Sequence, residues 1–299
     1  MGPHRRTRAR GRLQGRPRAR LRSAAVSADA GDPTLHDVLT LEEVDRDLYR
    51  SLLVFADPFP LYGGQVAAQA LLAAGRTVAP DRLPHSLHGY FLRAGDAARP
   101  TVFRVERDRD GGSFSARRVV AVQGGEVVLS MSASFQAPTP GPDLQVAAAP
   151  PAEAPGDCPP FTLPRLFSME SRRPSQPHPD AAYPTRFWSR ATVPLPGDPL
   201  LHACVLTYLS DIGTGLSALP EDLPGGPAAP GPTLDHALWF HRAARLDDWV
   251  LVDLVPATVS GGRGWYTGSI TTRDGVLAAS LTQETLFRPG RNPFRPGPR

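Results

Sequence analysis

The sequence contains no lysine: all 33 basic residues among its 299 are arginine. Nine of them fall within the first 22 positions, a stretch that holds no acid, so the formal charge of +4 less these nine leaves −5 for the remainder. The basic isoelectric point belongs to the tail, and a nucleic-acid role would rest on that tail alone. No apolar run reaches the roughly 18 residues of a membrane span, so no transmembrane helix is expected. The tail also lacks the apolar core of a secretory signal. Its Arg, Pro, Ala and Gly composition reads as translated sequence ahead of the real start, in preference to a transit-type presequence or a nucleic-acid arm, and residues 1–33 are expected to be disordered. The cysteines number two, Cys158 and Cys204, with neither metal-ligand spacing nor a disulfide framework. A reducing cytoplasm, no metal and no cofactor are the expectations. No G-x-S-x-G elbow is present, which argues against a serine hydrolase.

What is present is a soluble globular composition, 41% hydrophobic and 21% charged. Its clearest pattern is the final stretch Gly275 to Arg288, GVLAASLTQETLFR. On a strand Leu277, Ala279, Leu281 and Phe287 share one face, and Gln283 falls on that same face. A buried amide must be satisfied, so Gln283 is either tied into a polar network or aimed at a ligand. An earlier stretch, Gly125 to Pro138 (GEVVLSMSASFQAP), repeats the pattern with Val127, Leu129 and Met131 at the places of Leu277, Ala279 and Leu281, and Ala133 at that of Gln283. One position, apolar in the first copy and polar in the second, predicts a duplicated fold with chemistry confined to one copy.

Read in order, 34–51 is a short helix or lead-in, and a small-residue helix follows from Gly63 and Gly64 to just before Pro80. Four strand-like runs come next, at 86–93, 101–107, 114–123 and 126–136, separated by turn signals. Residues 137–160 are a proline-rich linker. The second half has a strand at 186–193, a helix at 199–212 and four more strands at 233–242, 249–255, 263–272 and 276–288. The fold class is α+β: two helix-on-antiparallel-sheet units, 34–136 and 161–290, with a disordered tail at 291–299.

The motifs LYGGQVAAQALLAA, HSLHGYFLRAGD, DGGSFSARRVVAVQGG, MSASFQAP, LTYLSD, PTLDHALWFHR and DGVLAASLTQETLFR, in this order, closely resemble the acyl-CoA thioesterase II family over about Thr34 to Arg288. The resemblance implies a double hotdog, in which two units, each a long helix wrapped by an antiparallel sheet, pack side by side. It implies an acyl-CoA substrate and a site in which Asp211 (in LTYLSD), Thr233 (in PTLDH) and Gln283 (in SLTQE) position a water. By themselves, Asp211 reads as the start of the following turn and Thr233 as an ordinary strand opener; the family match to all three in order gives them the functional reading. Substrate-binding roles are expected for His85, in the shared PHSLH stretch, for Gly63 and Gly64, and for Arg117; each also has a structural reading, as a satisfied histidine, a close-packing pair and a solvated or interface arginine. A non-hydrolytic acyl-CoA binder and an enoyl-CoA hydratase, for which His236 is the nearest histidine, are the alternatives. Pairing of sheet edges makes a homo-oligomer plausible.

Overall fold

A computed structural model describes residues 2, 33–163, 166–181, 183–218 and 231–287. The expectations for the two termini therefore lie almost wholly outside the described residues.

The first element among the described residues is a four-residue helix, α1 (Leu35–Val38), closed by a capping box between Thr34 and Asp37. A hairpin follows, β1 (Leu41–Asp45) and β2 (Leu48–Ser51). The helical spacing of Val44 and Leu48 does not carry a longer helix. Leu41 and Tyr49 are buried while Val44 is exposed, and Asp47 turns the chain at φ 60° with its carboxylate held by Arg107. Helix α2 (Gly63–Gly75) precedes a four-stranded meander of β3 (Leu83–Phe91), β4 (Val102–Asp110), β5 (Phe114–Gln123) and β6 (Glu126–Gln136).

The second half opens with three short strands, β7 (Pro160–Phe161), β8 (Met169–Arg172) and β9 (Arg186–Ala191). Helix α3 (Pro199–Ser210) follows, with Asp198 accepting the Leu200 N–H and Pro199 in the first turn. Four further strands follow: β10 (Thr233–Phe240), β11 (Val250–Ser260), β12 (Arg263–Thr272) and β13 (Leu277–Leu286).

All strands among the described residues join one antiparallel sheet in the order β1-β2-β4-β5-β6-β3-β10-β13-β12-β11-β9-β8-β7. From β4 to β11 the order is a palindrome, so β3, β6 and β5 of the first half correspond to β10, β13 and β12 of the second. The halves are sewn together at β3 and β10, where Leu87 lies opposite Leu238 and Gly89 opposite His236. Register makes the duplication explicit. Leu87 and Arg117 flank Ala133 in the first half, and His236 and Tyr266 flank Gln283 in the second.

The two helices lie against one another beneath the sheet and run antiparallel: Gly75 at the end of α2 meets Leu200 at the start of α3, and Gly64 at the start of α2 meets Tyr208 near the end of α3. This is why α2 is built from Ala and Gly and is buried over nearly its whole length, since it must pack on its own sheet and on a second helix at once. The proline-rich segment 137–160 is laid onto the second half. Asp143 pairs with Arg242, and the Gln145 amide accepts the Leu277 N–H at 2.7 Å and donates to the Gly275 carbonyl at 3.0 Å. Among the described residues no helix is long and apolar enough to cross a membrane.

Candidate active site

Three side chains from separate elements converge at the end of α3. Asp211 caps that helix, Thr233 opens β10, and Gln283 sits on the core face of β13, where Ala279, Leu281, Gln283 and Thr285 are all buried. The Thr233 hydroxyl donates to Asp211 Oδ1 at 2.9 Å. Gln283 Nε2 donates to the same oxygen at 2.8 Å and to Thr233 Oγ1 at 2.6 Å. The three residues picked out of the sequence thus form one hydrogen-bonded cluster.

The first half completes the cluster from the other side. The Gly64 backbone N–H, in the first turn of α2, also bonds the Asp211 carboxylate, so the acid sits at the positive end of a 13-residue helix. Contact there is close enough to require glycine. A Cβ on Gly63 would stand 2.4 Å from Asp211 Oδ2, and one on Gly64 would stand 2.5 Å from the Tyr208 carbonyl oxygen. The glycine pair expected to contribute to substrate binding lies directly against the carboxylate.

Burial dominates the electrostatics. Asp211 is 5% exposed, and desolvation of its charged form pushes its pKa from 3.8 up to about 7, against the hydrogen bonds from Thr233, Gln283 and Gly64 that pull it down. A carboxyl poised near neutrality can take up and release a proton at physiological pH.

Other polar groups lie in this neighbourhood. Tyr266 is fully buried opposite Gln283, and its hydroxyl is pushed further toward the neutral form by burial and by Asp211. His236, also buried opposite Gln283, has Nε2 2.8 Å from Ser210 Oγ, and burial lowers its pKa to about 4. Tyr62 donates its hydroxyl proton to the Tyr208 carbonyl and stacks edge-on to the Tyr208 ring. Tyr62 also lines a cavity of about 390 Å³ with Phe55, Ala56, Phe167 and the polar Asp57 and Gln65, so an apolar-walled space lies at the mouth of α2. Alternation along β10 and β12 marks His236 and Tyr266 as inward-facing; only the strand pairing shows that both face Gln283.

Two expected substrate contacts lie elsewhere. His85 is at the far end of β3, about 20 Å along the strands from Thr233, where Nε2 lies 2.7 Å from Ser134 Oγ and the ring meets Phe114 edge-on. Arg117 is 1% exposed, and all five of its N–H donors are engaged: Nε with Thr77 Oγ1, Nη1 with the Arg109 and Ala116 carbonyls, Nη2 with the Thr77 carbonyl and Asp110. It has no donor left for a phosphate and does not point into solvent, so in this geometry it serves the fold. Among the described residues no cluster of His, Cys, Asp or Glu could hold a metal ion.

Two helix-on-sheet units joined edge to edge, with a carboxylate–hydroxyl–amide cluster at the helix seam, define a double-hotdog protein. Its relatives are specific. The N-terminal domain model of acyl-CoA thioesterases matches residues 56–136 and the corresponding C-terminal domain model matches residues 142–287. Human acyl-coenzyme A thioesterase 8 is 35% identical over 296 residues, covering 87% of this chain and 92% of that protein. Acyl-CoA thioesterase 2 of Haemophilus influenzae is 32% identical over 274 residues, covering 84% and 96%. The crystal structure of acyl-CoA thioesterase II TesB2 from Mycobacterium marinum superposes with a TM-score of 0.73 at 42% identity, covering 85% of this chain and 98% of that one. This chain belongs to the acyl-CoA thioesterase II family.

Proposed function

We infer that the protein hydrolyses acyl-CoA thioesters to a free carboxylic acid and CoA, by direct attack of a water and without a covalent intermediate. The observation that carries this reading is Asp211: a buried carboxyl with a pKa near 7, oriented by two side chains and the end of a helix. In this mechanism Thr233 and Gln283 hold the carboxylate and the attacking water in register. Asp211 takes the water's proton as its oxygen bonds to the thioester carbon. The positive end of α2 supports the oxyanion as it forms. Collapse of the tetrahedral intermediate breaks the C–S bond. A thiol pKa of roughly 8.5 lets sulfur leave as thiolate with little help, and the proton on Asp211 is then returned to sulfur or solvent. The cavity behind Tyr62, walled by Phe55 and Phe167, suits an acyl chain. Both cysteines are buried free thiols, as suits a reducing cytoplasm, and neither is part of the site.

The experiment is release of free thiol from acyl-CoA substrates of increasing chain length, by wild type, Asp211→Asn and Gln283→Ala. Hydrolysis that collapses by about a hundredfold or more in each folded variant supports the reading. A wild-type protein that binds acyl-CoA and releases no thiol at any chain length is a binder, and the reading is then wrong.

A further inference from the structure

Gln283 can serve Asp211 and Thr233 only if its amide faces them with nitrogen. Turned by 180°, it would set its carbonyl oxygen against the Asp211 carboxylate. Nothing in the three-residue cluster fixes that choice while the carboxyl changes protonation during a turnover. The group that fixes it must be a donor on the far side of the amide, facing Oε1.

Two buried polar atoms on that side complete no hydrogen bond in the static geometry: Oε1 of Gln283 and Nδ1 of His236. Gln283 is 0% and His236 2% exposed, so both are shielded from bulk solvent. They are directly opposed residues on β10 and β13 with both side chains on the core face, the arrangement that brings Cβ atoms to about 5 Å. On its other side the imidazole is anchored, with Nε2 2.8 Å from Ser210 Oγ. Ser210 immediately precedes Asp211 and ends α3.

The duplication supplies an independent observation. The pair equivalent to His236 and Gln283 in the first half is Leu87 and Ala133, opposed in the same way on β3 and β6. Both members of the pair are apolar in one half and both are polar in the other. A histidine present only for packing would not need to differ together with its partner.

We propose that His236 is a positioning residue, whose Nδ1–H holds the Gln283 carbonyl oxygen and thereby aims the Gln283 amide N–H groups at Asp211 and Thr233. This rests on the water-activation reading given above. It requires a neutral imidazole with the proton on Nδ1, so that Nε2 accepts from the Ser210 hydroxyl. Ser210 Oγ also lies 2.9 Å from the Thr207 carbonyl, and its single proton can serve only one of the two acceptors. The proposal assigns it to His236. Were it donated to Thr207, Nε2 would carry the imidazole proton and a bare Nδ1 lone pair would oppose Oε1.

The test combines a spectroscopic readout with two substitutions of opposite design. In protein labelled with ¹⁵N-histidine, His236 is expected as the Nδ1–H tautomer, whereas free imidazole side chains favour Nε2–H; an Nε2–H tautomer overturns the proposal. His236→Gln keeps a polar group near Ser210 and loses the donor toward Gln283, while His236→Asn does the reverse. The expected result is a 10- to 100-fold loss of kcat at unchanged KM in His236→Gln, with most of kcat retained in His236→Asn. If Gln283→Ala abolishes hydrolysis while His236→Gln turns over like wild type, the positioning role alone is wrong. If Gln283→Ala is itself fully active, the water-activation reading fails and takes the proposal with it. Should His236→Gln not fold, the tautomer of the wild-type protein decides.

Discussion

The raised pKa of Asp211 makes Asp211→Asn a test of stability as well as of activity. A carboxyl that titrates at 3.8 in the unfolded chain and at about 7 when folded binds its proton more tightly in the folded state. As pH rises past 4 the unfolded chain ionises first, so stability falls between about pH 4 and pH 7 and is level above that. At roughly 1.4 kcal/mol per pKa unit the full penalty above pH 7 is about 4 kcal/mol, and at pH 5 it is about 2 kcal/mol. Asparagine carries no charge to desolvate, and its carbonyl oxygen still accepts from Thr233 and Gln283. Relative to wild type, Asp211→Asn should therefore gain about 2–3 kcal/mol more at pH 8 than at pH 5. That gain corresponds to a midpoint difference wider by about 5 °C for a chain of this size. The assay is thermal unfolding of both proteins at pH 5, 6, 7 and 8, beside thiol release at the same pH values. Wild-type kcat/KM should rise with pH through an apparent pKa near 7, and the variant should be inactive throughout. A midpoint difference that does not change with pH would refute the argument that burial holds this carboxyl near neutrality.

Two further substitutions probe the surroundings. Gly63→Ala places a methyl 2.4 Å from Asp211 Oδ2 and 2.9 Å from the Phe91 ring, so the carboxylate must shift; kcat should fall by about a hundredfold while the helix, which alanine favours, persists by circular dichroism. Arg117→Met leaves the buried Thr77 carbonyl and the part-buried Arg109 and Ala116 carbonyls without this donor and should cost about 1–3 kcal/mol in urea unfolding, with KM for acyl-CoA unchanged; a raised KM at unchanged stability would point to a substrate role for this arginine.

Gln283 was legible in the sequence because strand alternation fixes parity without any tertiary knowledge, and because Ala133 marks the same place in the other copy. Asp211 and Thr233 were legible only through family resemblance: a residue after a helix and a residue opening a strand have no periodic pattern to depart from. Gly63 and Gly64 read as sites of close approach, but what approaches is Asp211, 147 positions beyond Gly64 in the chain. The surroundings of His85 and Arg117 were not legible, for a shared reason. Both are polar residues in apolar-flanked strands, and whether such a side chain meets a ligand or a neighbouring hydroxyl depends on strand pairing. The short hairpin 41–51 was hidden by an accidental helical spacing, and only the burial of Leu41 and Tyr49 with exposed Val44 reveals the period of two.

The duplication explains why a symmetric scaffold carries an asymmetric site. At the end of α3 the polar set is Asp211 with Gln283, His236 and Tyr266. At the corresponding end of α2 the positions of Gln283 and His236 are Ala133 and Leu87, while Arg117, in the place of Tyr266, fills the space and bonds Thr77. The helix starts differ in the same sense. The first turn of α3 is occupied by its own cap, Asp198, whereas α2 has no side-chain cap and offers its Gly64 N–H to Asp211. The first half thus supplies the helix end and the glycines, and the second supplies the carboxylate, hydroxyl and amide. Neither half holds a complete cluster alone, so separating the units anywhere in 137–160 would leave each without part of the site.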